Sequence, residues 1–334
     1  MREPAFLRQN KERWQENEQM LFSNRLDALN PDRLADLYIR LTDDLAYART
    51  FYPRSQLVRY LNGLAARTHL AIYRSQRARR NRLVQFWAED LPLALYESRM
   101  FLLYAFLWFS ATFLIGSVCA LQNDELLRSI LGDGYVEMTL ENIERGDPMG
   151  VYKSQPSFPM FVYIAANNLL ICLKFFAYGL LLSAGTLYYL FVNGVMIGSF
   201  LTFFHTQDVL MEALPVVYIH GTLEISAIVL SAAAGLMLGN SLIFPGTLTR
   251  LQSLSLAARR GIKIMVSVVP VILAAAWLEG YITRLTDMPL AFKLLIILLS
   301  LLYIVGYYLV YPVLLHRRLS RTLPAPSGFQ LKTA

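Results

Sequence analysis

The sequence predicts an all-α, polytopic membrane protein with about six transmembrane helices and a small N-terminal cytoplasmic helical bundle. Three observations carry that expectation. The 334-residue chain is 55% hydrophobic and only 16% charged, with a mean hydropathy of +0.40, whereas soluble domains are about a quarter charged. Its apolar residues gather into runs near the ~20 residues that cross a bilayer as a helix. Roughly the first 95 residues are polar instead, and the apolar run that follows is too long and too late to be a cleavable signal segment.

Residues 1–98 read as the cytoplasmic helical domain. Phe6, Trp14 and the Met20–Phe22 cluster are interleaved with charges. Asn30 caps and Pro31 opens a second helix, whose Leu34, Leu37, Leu41, Leu45 and Ala48 fall at 3–4 spacing. Phe51-Tyr52-Pro53 ends it. Ser55 caps a third, with a stripe of Leu57, Tyr60, Leu61, Leu64 and Leu70 or Ile72. Asp43-Asp44 suggests a metal only superficially, because adjacent helical residues face apart. Arg40 and Arg49 are the expected ion-pair partners, and the lone His69 reads as a surface position. The basic run from Arg74 to Arg82 marks a cytoplasmic membrane border that attracts anionic headgroups.

The membrane domain, 99–316, is expected to hold spans at about 100–121, 160–183, 186–205, 216–240, 264–281 and 291–315. Between the first two lies an acidic extracytoplasmic segment, 122–158, with 3 Lys/Arg against 7 Asp/Glu. Asn123-Asp124 opens a short helix there that ends at Gly132. A second places Val136, Leu140 and Ile143 on one face, shaped to pack on the span ends or on a partner. Glu141 and Glu144 read as a solvated face. A basic tail, 317–334, closes the chain. Residues 1–99 carry 17 Lys/Arg against 12 Asp/Glu, and Arg250, Arg259, Arg260 and Lys263 lie in the 245–263 connection. The positive-inside rule therefore puts both termini in the cytoplasm of a bacterial inner membrane. The net charge of +7 reflects this topology and anionic lipid, with no nucleic-acid partner expected.

Polar residues inside the spans are expensive, so they are the candidate functional positions. The stretch Pro215–Pro245 carries His220 and Glu224 one turn apart. Glu279, Lys174 and Asn168 fall at comparable depths, and Glu224 is expected on the order of 12 Å below the outer end of its helix. Four uses compete: a structural network in which Lys174 neutralises Glu224, a proton or solute pathway, a metal hydrolase, and a groove for a partner or lipid. A catalytic zinc site wants three protein ligands, and no HExxH motif, phosphate loop, nucleophile elbow or dinucleotide fingerprint is present. No catalytic residue, metal or cofactor is therefore assigned. Cys119 and Cys172 read as small buried side chains. Gly194/Gly198 and Gly235/Gly239 are small-xxx-small surfaces that suit helix packing within one chain or between copies, making a homo-oligomer possible.

Two motifs in this region belong together: HGTLE at 220–224, and GNSLIFPG at 239–246 with Asn240, Pro245 and Gly246, followed by Arg250 and Ser253. With ADLYIRLTDDLAYAR at 35–49, Phe51-Tyr52-Pro53 and YLNGLA at 60–65, they resemble the stage II sporulation protein M family over nearly the whole chain. The resemblance implies a membrane scaffold that holds cell-wall hydrolases. The long cytoplasmic front resembles the relatives of non-sporulating bacteria, which are encoded beside AAA ATPases. The expected function is accordingly an integral membrane scaffold for an envelope or cell-wall associated complex, with envelope enzymes or AAA ATPase-type proteins as partners. The alternatives are a transporter or lipid or proton pathway and, third, an intramembrane metal-dependent hydrolase.

Overall fold

The fold, taken from a computed structural model, is described over residues 3–22, 31–78, 81–153, 156–285 and 287–322. Among these residues all regular structure is helical, and six helices are long and apolar enough to span a membrane. The expectations placed on Asn30, Arg79, Arg80 and the tail beyond 322 lie outside the described residues. So do the side chains of the Met20–Phe22 cluster, Leu34, Leu70, Ile72, Arg74 and Arg77.

The chain divides into two compact units, Met1–Phe86 and Trp87–Ala334. The front unit is built on α1 (Glu3–Phe22), α2 (Pro31–Phe51) and α3 (Gln56–Ala78), followed by the short α4 (Arg82–Gln85). The apolar stripes meet as the pattern requires. Phe6 and Trp14 of α1, Leu41, Leu45 and Ala48 of α2, and Leu57, Leu61 and Leu64 of α3 form one core. Ser55 caps α3 by accepting from the Leu57 amide at 3.0 Å. The acids of α2 find partners other than those expected. Asp44 accepts from Arg13 at 2.5 Å and Trp14 Nε1 at 2.8 Å, both across the α1–α2 contact. Arg40 pairs with Asp36 one turn earlier, at 2.9 Å, and Arg49 donates to Asn62, also at 2.9 Å.

The second unit begins at Trp87, earlier than the 98/99 boundary read from polarity. The Trp87 and Ala88 carbonyls accept from Tyr307 and Tyr311 of the last span, at 2.6 and 2.8 Å, and α5 (Leu91–Glu97) buries Leu91, Ala94 and Leu95. The first span, α6 (Arg99–Gln122), leads to α7 (Asp124–Leu131) and α8 (Asp133–Glu144). Asn123 caps α7 at 3.0 Å and Gly132, at φ 87°, ends it in a backbone conformation few other residues adopt. Leu127 and Val136 pack on Ala120 and Phe203, so these amphipathic helices close over span ends of their own chain. Glu141 pairs with Arg145 at 3.1 Å.

The remaining spans are α9 (Ser157–Ala177), α10 (Ala184–Thr206), α11 (Leu210–Ile243), α12 (Arg250–Trp277, continued by a π-type turn Leu278–Thr283) and α13 (Leu290–Tyr303). A second π-type turn, Ile304–Val310, carries α13 into α14 (Tyr311–Thr322). α11 is the axle: 78% of its apolar window is buried, against 11–50% for the other five spans, and it touches α6, α9, α10, α12 and α13. It and α12 are longer than the apolar runs suggested. α11 begins six residues before 216, and α12 absorbs most of the 245–263 connection as helix. Thr249 and Gln252 cap α12 reciprocally. Its first turns bury Ala257, Gly261 and Ile264 while Arg259 and Arg260 stay exposed. Asn240, Pro245, Gly246 and Arg250 make the turn between these two helices: the Asn240 carbonyl accepts from Phe244, Gly246 has φ 64°, and Arg250 opens α12.

The small-xxx-small surfaces are used inside this chain. A Cβ on Gly194 or Gly198 would run into Thr112 or Phe113 of α6, and one on Gly235 or Gly239 into Phe175 or Ser183. Ser199 and Ser117 bridge the α6–α10 seam by donating to the Gly116 and Gly198 carbonyls, at 3.2 and 3.3 Å. These faces therefore have no surface left for a second copy.

Candidate functional site

His220 and Glu224 stand on one face of α11, four residues apart, as the helical repeat dictates. Because α11 starts at Leu210, Glu224 lies about 21 Å along it, deeper than the 12 Å expected from a start at 216. The end of α12 comes alongside at this level. Its π-type turn holds Glu279 and Thr283, again four residues apart, facing the α11 pair. Such turns insert a residue into the helical repeat and are frequent at functional sites.

The result is a cluster of three ligand-type groups, His220, Glu224 and Glu279, whose candidate donor atoms all lie within 4.8 Å of one another. His220 is buried. Its Nδ1 is 3.0 Å from Thr283 Oγ1, and its Nε2 is 3.9 Å from Glu279 Oε2. Asn168 of α9 donates from Nδ2 to Glu224 Oε1. Tyr152, on the 3-10 turn Gly150–Lys153, sets its ring edge-on to the imidazole at 5.6 Å. Among the described residues no lysine or arginine pairs with either carboxylate.

The cluster stands at the wall of a cavity of about 340 Å3. His220, Glu224, Asn168 and Tyr152 line it with Asn193 of α10 and Tyr135 of α8; Glu279 does not, so it reaches the cluster from behind. The rest of the lining is largely apolar. Burial pushes the Tyr135 phenol up to about 12. Burial, with the Glu279 charge adding to it, holds the Tyr152 phenol well above its ordinary value. Both therefore present neutral hydroxyls at neutral pH. In chemical terms the site offers one imidazole and two carboxylates, with the Asn168 amide N–H donating to one of them, a set that receives positive charge or hydrogen-bond donors.

Of the sequence-selected residues, His220, Glu224, Glu279 and Asn168 come together. Lys174 does not. It sits in the last α-helical turn of α9, six residues beyond Asn168: the α-helix ends at Ala177 and a 3-10 turn, Tyr178–Leu180, carries the span to Leu180, short of 183. It makes no ion pair with Glu224, so the neutralised network expected from sequence is absent. The pairing that would have closed the site does not form, and His220 and Glu224 face a cavity. Thr283 and Tyr152 are the contributors that sequence reading missed. Thr283 carried a faint signal, since the Glu279/Thr283 spacing repeats that of His220/Glu224; Tyr152 carried none.

A family model described as stage II sporulation protein M matches residues 105–284. A separate domain of unknown function matches residues 4–74. The front motifs at 35–53 and 60–65 thus fall in the second match, and the resemblance is narrower than the nearly complete one expected. Neither curated proteins nor solved structures returned a match. The family match covers more than half of the chain and includes α11 and the whole His220–Glu224–Glu279 cluster, and the protein belongs to the stage II sporulation protein M family.

Proposed function

We propose that this chain is a cation-binding multi-pass protein of a bacterial cytoplasmic membrane, with both termini in the cytoplasm and the 123–153 cap outside. The lysines and arginines of the 245–263 segment, the front unit and the tail support that orientation through the positive-inside rule. One observation carries the cation-binding role. Two carboxylates and an imidazole converge beside a cavity, and the side chain that reaches Glu224 is an asparagine where a structural ion pair would place a lysine or arginine. Two carboxylates side by side in a buried site do not both carry full charge unless a cation joins them, and a bound cation lets both ionise.

A second function rests on the two-unit construction: a scaffold for an envelope or cell-wall associated complex. The front unit has a core of its own, and the membrane unit carries a folded cap. Envelope enzymes or AAA ATPase-type proteins are the partners this would hold. The two functions are compatible.

Thermal unfolding of the cation-free, detergent-purified protein tests the first. Glu224→Gln and Glu279→Gln each remove one carboxylate of the facing pair while keeping shape. Each is expected to raise Tm by roughly 2–4 °C, corresponding to about 1 kcal/mol in a unit of this size. A fall of similar size in both variants would mean that the carboxylates only fasten helices, and the cation-site function would be abandoned.

A further inference from the structure

The cluster has the donor set and the layout of a metal site, not only an excess of negative charge. Calcium and magnesium favour shells made of oxygen alone. An imidazole nitrogen beside two carboxylates suits borderline ions such as Zn2+ and Mn2+. His220 supplies the decisive feature. It is 4% exposed, its Nδ1 is occupied by Thr283 at 3.0 Å, and its Nε2 is aimed at the carboxylates with no hydrogen-bond partner among the described residues. This is how metal-binding imidazoles are held: one nitrogen is fixed by a neighbour, and the other is left with its lone pair toward the ion.

The layout agrees. His220 and Glu224 come from one helix face, and Glu279 comes from the adjoining helix, so rigid elements present all three. Donor atoms 2.0–2.2 Å from an ion stand roughly 3.0–3.5 Å apart. The donors here lie within 4.8 Å, so shifts of about 1 Å would close them on an ion. Three protein ligands leave coordination positions free. The 340 Å3 cavity adjoins His220 and Glu224, where a water or a substrate atom would sit.

We infer that His220, Glu224 and Glu279 bind one divalent transition-metal ion, with Thr283 orienting the imidazole and the cavity supplying the ion's open position. This rests on the cation-binding function above and adds the class of ion and its ligands.

The test uses the full chain in nanodiscs, equilibrium-dialysed against Zn2+ and, separately, Mn2+, with metal content read by mass spectrometry. One ion per chain is expected. Affinity should fall at least 100-fold in His220→Ala, Glu224→Gln and Glu279→Gln, and about 10-fold in Thr283→Val, in line with lost outer-shell partners. Absence of a stoichiometric ion, or retention undiminished in all three ligand variants, would overturn the inference. Should His220→Ala fail to fold, X-ray absorption on the loaded wild-type protein decides. A shell with one imidazole nitrogen at about 2.0 Å among oxygens supports the site, and an all-oxygen or sulfur-containing shell overturns it. The two glutamine variants also separate the claims. No metal binding by the wild-type chain, with a raised Tm in the variants, removes only the transition metal, whereas no metal binding by the wild-type chain, with a lowered Tm in the variants, removes the cation site as well.

Discussion

Two acids in this protein are buried to nearly the same extent and treated in opposite ways. The Asp44 side chain in the front unit is 15% exposed, and that of Glu279 in the membrane unit is 16% exposed. Asp44 has an arginine at 2.5 Å and an indole N–H at 2.8 Å, and it ties α2 to α1. Glu279 has an imidazole at 3.9 Å and a second carboxylate close by. Burial does not tell the two apart; the partner does. An acid given a cation by its own chain fastens the fold. In the cation site proposed above, acids gathered without one hold a place for something that arrives later.

The largest expected effect comes from erasing that difference. Asn168→Lys would give the membrane cluster the cation that Arg13 gives Asp44. Asn168 already reaches Glu224 and lines the cavity, so the longer side chain has space. Cation affinity should drop at least 100-fold while Tm rises, since an internal charge now answers the carboxylates. A variant that binds cations as well as wild type would show that Asn168 does not face the site.

The reverse change comes next. Asp44→Asn keeps the shape and removes the charge that accepts from Arg13 and Trp14. Charge-assisted hydrogen bonds contribute about 1.5–3 kcal/mol, and the half-exposed Arg13 puts this one at the low end. Amide hydrogen exchange in α1–α3 should speed up about 10-fold, with α9–α12 unchanged. The sign is opposite to that expected for Glu279→Gln. If both substitutions stabilise, or both destabilise, the contrast between the two acids is false.

What the sequence made legible follows the same division. The six-span fold is written in hydropathy, and the front-unit core in stripes at 3–4 spacing. His220 and Glu224 share a face by helical arithmetic alone, and topology brings Glu279 to their level. Contributions that depend on how helices rotate against each other were not legible. Thr283 enters through a π-type turn, and Tyr152 through a cap that folds back over the spans. The end of α9 was also hidden, because the apolar run continues through Tyr178 to Leu182. The chain turns there on Leu182 and Ser183, which adopt positive φ of 53° and 66°, a conformation their residue types do not advertise.

That hidden helix end makes Lys174 the smallest and most discriminating substitution. Counted from an end near 183, Lys174 stands mid-span, the natural counter-charge to Glu224. Counted from Ala177, it stands in the last turn. There it is about 9 Å farther along α9 than Asn168 and rotated by roughly 240° around the helix. The helix dipole near its C-terminus favours an ammonium in that position, an effect of about 0.3–1 kcal/mol. Lys174→Gln should therefore lower stability by no more than that, and leave cation affinity within about twofold of wild type, the behaviour of a residue outside the network. Were Lys174 the hidden partner of Glu224, its loss would strand a buried carboxylate, at about 3–5 kcal/mol, and would raise cation affinity. The two outcomes differ in size and in the direction of binding, so this one substitution measures whether the membrane acids stand without a counter-charge from their own chain.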